Sequence, residues 1–207
     1  LVAYFGGVRL DGTNATIIGN RPGEFKADRN GIQRVWMDHG YWPVLTIWQY
    51  IQQTGDIEIL LRVAPFFQDG LGMRGTQRNA IQADRSCTGT VAEHMLLEQL
   101  TAFCEAGEHG LLRLRDADWN DALDMAPQRG ESGAFTSAYA GSMELLAKML
   151  ETLRQTGKCS SIDLPKRFEI LLGEEDNWAS IASRREKLNR FCAQCIQIPD
   201  DDRIQIP

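Results

Sequence analysis

Four carboxylates, one asparagine and one tryptophan lie within the nine positions from Asp116 to Asp124. Like charges this close raise one another's pKa, and a neighbouring tryptophan ring reduces hydration and raises it further. A carboxyl group that keeps its proton near neutral pH can act as a general acid. A tryptophan beside carboxylates also suits a sugar, whose C–H face stacks on the ring while its hydroxyls bond to the acids. Acid catalysis on a carbohydrate is therefore one interpretation of this segment.

Two other interpretations of the same segment stay open on spacing alone. One is a solvated acidic loop that starts a helix, since carboxylates are stabilising near a helix N-terminus. The other is a calcium site, because Asp116, Asp118 and Asn120 match the first half of an EF-hand loop. That match then fails, since the sixth position is Asp121 rather than glycine and the twelfth is Pro127 rather than glutamate.

A second group of polar and aromatic residues lies between Arg29 and Pro43, just before an expected helix. Arg34 and Asp38, together with a histidine and three aromatic residues, resemble a site for a polyol. The simpler explanation of this group by itself is the start of a helix, with Trp42 in the core and Asp38 or His39 as the cap.

A third candidate follows the acidic segment directly. Glu131 could bond a hydroxyl group, and Ser132 could cap the next helix. The three histidines are too widely spaced to indicate a metal site or a serine triad. Cys192 and Cys195 form a C-x-x-C pair without a second ligand pair, and we interpret them as small apolar residues on a helix.

The elements that must position these residues are mainly helices. We expect strands and loops over residues 1–40, with short strands around Val8–Leu10 and Ala15–Ile18, and helices over residues 41–207. Apolar residues spaced by three and four predict five or six helices, and no alternation of strands with helices is visible. The expected helices run from Pro43 to Gly55, from Asp56 through Val63 as the second half of a helical hairpin, from the Thr90–Glu93 capping box to Gly107, from Phe135 to Thr156 and from Trp178 to Cys195.

Composition excludes several classes of protein. The chain has 207 residues, is 43% hydrophobic and 24% charged, and carries a net charge of -6. These values exclude a disordered chain, a collagen-like repeat and a simple coiled coil. An acidic chain without a basic run is a poor partner for nucleic acid, and no apolar run approaches the ~20 residues that span a bilayer. An odd number of cysteines, five, favours a reducing compartment, and so a cytoplasmic protein.

Several motifs together resemble one enzyme family. The stretch Ala117–Asp124 resembles the D-W-N-D signature of the glycoside phosphorylases of glycoside hydrolase family 94. The resemblance covers roughly Phe5 to Leu150 and is greatest for the branch that acts on 1,2-β-oligoglucans. The further motifs that carry it, in the family's order, are Arg9–Asn14, Pro22–Phe25, Arg34–Gly40, Gly107–His109 and Arg129–Ser132.

The resemblance implies inverting, reversible phosphorolysis of β-1,2-linked gluco-oligosaccharides to α-glucose 1-phosphate. Asp121, the last residue of the signature, would be the general acid, and inorganic phosphate would replace the water of an inverting hydrolase. No cofactor and no metal are implied; the partners are a β-glucan oligosaccharide and phosphate. The implied substrate-binding residues are Trp119 at the cleavage point, Arg34 and Asp38 as sugar ligands, and Asp118 and Glu131 as sources of supporting hydrogen bonds.

The family fold is an (α/α)6 toroid of twelve helices, which at ~11–12 residues each plus loops exceeds this chain. We therefore expect a mainly α, partial toroid, and a fragment of the catalytic domain over residues 1–207. The family's phosphate-binding histidine and its Gly/Thr-rich loop have no match after Gly157, so we expect the isolated chain to lack phosphorylase activity. Two alternatives are an inverting glycoside hydrolase on the same toroid and a non-catalytic carbohydrate- or calcium-binding helical module.

Overall fold

A computed structural model describes residues 1–15, 17–26, 35–68, 87–115, 126, 128–173, 178–194 and 202–206. Within these residues the α-helices are α1 (Tyr41–Thr54), α2 (Val91–Cys104), α3 (Gly133–Gln155), α4 (Phe168–Leu172) and α5 (Ile181–Gln194). Two 3-10 helices span Val2–Gly7 and Ile57–Leu61. The strands form antiparallel pairs: β1 (Ile17–Ile18) with β2 (Phe25–Lys26), β3 (Val63–Pro65) with β4 (Thr88–Thr90), β5 (Leu112–Arg113) with β6 (Glu131–Ser132), and β7 (Ile162–Pro165) with β8 (Arg203–Ile206).

The helix predicted from Pro43 is α1, which begins two residues earlier, at Tyr41. Val44, Ile47 and Ile51 are buried on one face, as their spacing predicts. Gly55 ends the helix with a φ of 71°, in the left-handed region that glycine adopts without strain, and its N–H bonds to the carbonyl of Ile51.

The capping box that opens α2 is confirmed. The Thr90 hydroxyl accepts the N–H of Glu93 at 3.1 Å, and the Glu93 carboxylate accepts the N–H of Thr90 in return. The helix ends at Cys104 rather than Gly107, since the N–H of Glu105 bonds back to Thr101 and Ala102. Nearly every residue of α2 is buried, so this helix is the centre of the fold.

The prediction of a helix from Asp56 through Val63 is wrong, and so is the prediction of a helical hairpin. A short 3-10 helix buries Ile57, Ile59 and Leu60, and the chain then extends into β3. Val63 fits helical spacing, yet it is 61% exposed, and its backbone pairs with Thr90. The ladder to β4 therefore overrides the local helical pattern.

The strands expected near the N-terminus are confirmed only in part. The first turn-rich stretch is a 3-10 helix, Val2–Gly7, and Val8 then pairs with Asn14 through an isolated bridge. Ile17–Ile18 is a strand, paired with Phe25–Lys26. The α-helices of the described residues all begin at Tyr41 or later.

The helix α3 is confirmed, and Ser132 caps it as predicted, because its hydroxyl accepts the N–H of Phe135 at 3.1 Å. The last predicted helix begins at Ile181 instead of Trp178, and Cys192 on it is buried in the core. The short helix α4 and the β7–β8 pair were not predicted. No described helix combines the length and the apolar character that crossing a bilayer requires.

Three of the helices begin at one end of the molecule, where α2 ends. Lys158, beyond the end of α3, forms an ion pair with Glu58, just beyond the end of α1, so α1 and α3 run in the same direction. Arg184, in the first turn of α5, bonds to the carbonyl of Phe103 near the end of α2. The N–H of Val91, the first residue of α2, bonds to the carbonyl of Arg62, which follows the end of α1, so α2 begins where α1 and α3 end. The described residues therefore form a mainly α fold in which α2 runs opposite to α1, α3 and α5.

Candidate functional site

The strongest sequence motif is flanked by residues at the end of the molecule where α2 ends. Arg115, with a φ of 59°, forms an ion pair with the buried Glu105, whose carboxylate is 3.0 Å away. Across the motif, the guanidinium of Arg113, on the N-terminal side, bonds to the carbonyl of Gln128, on the C-terminal side, at 3.1 Å. This second contact holds the two flanks of the motif close together. Four predicted site residues lie outside the described residues: Arg34, Asp118, Trp119 and Asp121.

Asp38 is buried, and its carboxylate bonds to the first turn of α1. The residue is 4% exposed, and Oδ2 accepts the indole N–H of Trp42 at 3.0 Å. The backbone carbonyl of Asp38 accepts the N–H groups of Tyr41 and Trp42. The main chain of Asp38, not its carboxylate, therefore serves the start of the helix. Trp42 is 50% exposed, so its predicted place in the core is wrong.

A buried network that sequence reasoning missed fixes the segment around Asp38. Tyr139 donates its hydroxyl to the carbonyl of Met37 at 2.6 Å. The Gln99 amide donates to the carbonyl of Gly40 at 2.8 Å and accepts the hydroxyl of Ser142 at 2.6 Å. Residues from α2 and α3 thus hold two backbone carbonyls just before α1. Only the polar residues at buried helical positions could have signalled this network.

Charged side chains lie buried beside this segment. The Arg9 guanidinium, fully buried, donates to the carbonyl of Asn14 at 2.6 Å, and the Asn14 amide donates to the Glu98 carboxylate at 2.6 Å. Burial lowers the pKa of His39 and Arg9 lowers it further, while Asp38 partly offsets both effects. The His39 ring stacks on Trp36, with centroids 5.5 Å apart. The arrangement favours a neutral imidazole at this position.

The hydroxyl of Tyr4 faces the same charges from the N-terminal 3-10 helix. Burial raises the pKa of Tyr4, and the carboxylates of Glu98 and Asp38 raise it further. Tyr4 therefore keeps its proton throughout the neutral range and can donate a hydrogen bond.

Glu131 holds a turn of its own chain. Its carboxylate accepts the backbone N–H groups of His109 and Leu111, each at 3.1 Å, and the His109 ring nitrogen at 3.0 Å. Burial acts to raise the pKa of Glu131, but the hydrogen bonds from His109 and Leu111 outweigh it and lower that pKa. Gly107 approaches the carboxylate so closely that a side chain there would meet it. Both carboxylate oxygens thus have partners within the turn.

No metal centre is visible in the described part of the chain. Among these residues, no three His, Cys, Asp or Glu side chains form a group that could hold a metal ion. The partial EF-hand pattern lies within residues 116–127, of which only Ala126 is described.

Residues 16–158, more than half of the chain, match the family described as "Glycosyl hydrolase 94 superfamily, catalytic domain". The chain therefore belongs to this family, and the resemblance in its motifs is confirmed. The matched range contains the sequence Asp118–Asp121 and also Asp38 and Glu131. Phosphorylases of this family use inorganic phosphate as co-substrate and need no organic cofactor.

Two similar proteins come from Paenibacillus borealis. The 3-O-beta-D-glucopyranosyl-beta-D-glucuronide phosphorylase is 28% identical over 132 residues, which cover 63% of this chain and 15% of that protein. Solabiose phosphorylase is 30% identical over 90 residues, which cover 44% of this chain and 10% of that protein. The chain thus spans only a small part of the length of these relatives.

Proposed function

We propose that this chain supplies the general acid and part of the sugar site of a glycoside phosphorylase that acts on β-glucosides. The observation that carries the proposal is the family match over residues 16–158, which contains the acidic sequence Asp118–Asp121. Both named relatives are phosphorylases, which supports phosphate rather than water as the acceptor. The motifs around the acidic sequence favour β-1,2-linked gluco-oligosaccharides as the substrate.

In the proposed reaction a phosphate oxygen attacks C1 of the glucosyl unit from the face opposite the leaving group. The new C1–O bond forms as the glycosidic bond breaks, and the products are α-glucose 1-phosphate and a shortened glucan. Asp121 gives its proton to the leaving oxygen, directly or through a neighbouring sugar hydroxyl. One catalytic carboxylate suffices, because phosphate is already an anionic nucleophile and needs no general base.

The remaining site residues have separate proposed roles. Trp119 borders the sugar at the cleavage point, Arg34 binds the sugar, and Asp118 supports it by hydrogen bonding. For Asp38 and Glu131 the described contacts favour a positioning role, since each carboxylate bonds to groups of its own chain. Asp38 orients the indole of Trp42, and Glu131 fixes the turn that leads into β5.

The described helices are proposed to be part of an (α/α)6 toroid, with residues 1–207 belonging to one catalytic domain. Successive long helices that reverse direction, from α1 to α2 to α3, support this arrangement. A cytoplasmic location is proposed from the odd number of cysteines.

The test is the release of glucose 1-phosphate from sophorose, a β-1,2-linked disaccharide, by the longest natural polypeptide that carries this sequence. We expect release that depends on phosphate, with laminaribiose and cellobiose as β-1,3- and β-1,4-linked comparisons. Glucose release that is the same with and without phosphate would identify a hydrolase and overturn the proposal. Preference for another linkage would correct the substrate alone.

Replacing the proposed acid gives the second arm of this test. The Asp121→Asn variant should lose turnover by roughly 10²–10⁴-fold, the range that general acid catalysis contributes, with an unchanged circular dichroism spectrum. An Asp124→Asn variant is the matched control, because it removes a carboxylate from the same segment. Turnover near that of the unchanged protein in Asp121→Asn would exclude Asp121 as the acid.

A further inference from the structure

Trp42 combines an exposed ring with a fixed orientation. Half of its surface is accessible, although its indole N–H is bonded to the buried carboxylate of Asp38. Tyr41 packs edge-on against the indole, with ring centroids 5.0 Å apart. An exposed aromatic side chain held on two sides loses little conformational entropy when a ligand covers it.

A cavity of about 350 Å³ lies against this ring. Its wall includes Tyr4, Phe5, Trp42 and Thr46, so aromatic surface stands beside two hydroxyl groups. The volume lies at the lower end of the range of small-molecule sites. The side chains that line the cavity carry no charge, whereas the carboxylates of Asp38 and Glu98 act on the Tyr4 hydroxyl. These features suit a small neutral ligand with an apolar face and hydroxyl groups, and they disfavour an anion.

We propose that Trp42 is the stacking platform of a glucosyl-binding subsite in this cavity. The C–H face of a β-linked glucosyl unit lies on the indole, and the hydroxyls of Tyr4 and Thr46 bond to the rim of the sugar. Asp38 acts through Trp42, as a positioning residue that holds the ring in place. The choice of a glucosyl unit rests on the proposed function.

The site can be tested by binding, without turnover and without phosphate. The ¹⁵N-labelled chain is titrated with sophorose, and the indole N–H signal of Trp42 is identified as the one missing from a Trp42→Phe variant. We expect this signal to shift saturably. Calorimetry should give an affinity that Trp42→Ala reduces about tenfold or more, since the aromatic face is lost.

A matched control separates this site from general effects on the chain. Trp178 packs against Lys187 and Phe103, so Trp178→Phe alters a tryptophan outside the cavity and should leave the affinity for sophorose unchanged. Asp38→Asn keeps an oxygen that can accept the indole N–H and should bind more tightly than Asp38→Ala. In a chain that already carries Trp42→Ala the two Asp38 variants should bind equally, because Asp38 acts through the indole, whereas a direct contact of the carboxylate with the sugar would keep their affinities different.

Two results would overturn the inference: no saturable binding of sophorose to the chain, or equal affinity in Trp42→Ala and the unchanged chain. Maltose, with an α linkage, tests whether the subsite selects the β-linked form. The proposed function and the proposed subsite can fail separately. Binding of sophorose that depends on Trp42, without phosphate-dependent turnover, would support the subsite and contradict the phosphorylase function. Phosphate-dependent turnover of sophorose, together with equal affinity in Trp42→Ala and the unchanged chain, would support the phosphorylase function and contradict the subsite.

Discussion

Gly40 sits where the network from α3 meets the start of α1, and replacing it with alanine should destabilise the fold. A Cβ atom there would lie 2.7 Å from the Tyr139 hydroxyl and 3.1 Å from Cβ of Glu98. The backbone itself accepts alanine, since φ is −77° and ψ is −17°. Tyr139 cannot swing aside easily, because its ring is buried and its hydroxyl is bonded to Met37. The glycine is therefore required for space and not for its conformation.

Two opposing effects decide whether Gly40→Ala stabilises or destabilises the fold. Overpacking a well-packed site costs roughly 1–3 kcal/mol, whereas a compatible Gly→Ala change gains about 0.4–1 kcal/mol. Gly40→Ala should then lower the free energy of unfolding by about 1–2 kcal/mol. Each kcal/mol corresponds to a fall of ~2–4 °C in melting temperature for a chain of this length. Tyr139→Phe alone removes a buried hydrogen bond and leaves the Met37 carbonyl without that donor, which costs about 1–3 kcal/mol. In that variant the nearest clash has gone, so Gly40→Ala should become nearly neutral.

Thermal and urea unfolding followed by circular dichroism would measure the four proteins of this double-mutant cycle. The matched control is Gly141→Ala, on the exposed side of α3, where an added Cβ meets nothing within 4 Å and should raise the melting temperature. If Gly40→Ala melts as high as Gly141→Ala, the close approach to Tyr139 is refuted. If the loss is equal with and without the Tyr139 hydroxyl, the assigned cause is wrong.

Two further predictions concern pH and the turn held by Glu131. Burial lowers the pKa of His94 from its ordinary value of 6.5, although bonds to Thr90 and Pro65 oppose the shift. The stability that the neutral His94 contributes is therefore present above pH 6.5 and is lost as the pH falls from there toward the lowered pKa. A His94→Gln variant should therefore show a shallower fall in melting temperature between neutral and acidic pH, and an unchanged slope would contradict this cause. Arg184 donates to the carbonyls of Phe103 and Gly110, so Arg184→Met should speed amide hydrogen exchange in the turn 107–111, measured by mass spectrometry, while Arg190→Met, on the exposed side of α5, should not.

The helices that sequence predicted correctly have both a periodic apolar face and a local end signal. Gly55 ends α1, Thr90 opens α2 and Ser132 opens α3, and each of these signals acts within four residues of its own chain. The prediction failed from Asp56 to Val63, where the partner of β3 lies about 25 residues further along the chain. Pairing over that distance leaves no mark on the local spacing.

The candidate site divides in a similar way. The types of residue in the site could be predicted from the sequence, because an acidic stretch beside a tryptophan and a set of ordered motifs identify the family. Their partners were not readable. A role for Glu131 in supporting the substrate stays a prediction, and the structure adds that its carboxylate bonds a turn 20 to 22 residues earlier in the chain. Sugar binding by Asp38 likewise stays a prediction, and the structure adds that its carboxylate bonds the indole of Trp42.

The sequence by itself determined the family, the mainly helical class and the caps that open α2 and α3, because these depend on local chemistry and on the order of motifs. Only the tertiary structure decided that Trp42 faces outward while Asp38 is buried beneath it. Periodicity assigns a residue to one face of a helix, but what covers that face depends on distant elements. For α1 those elements are α2 and α3. Gln99 on α2 and Tyr139 on α3 donate hydrogen bonds to the backbone carbonyls just before the first turn of α1.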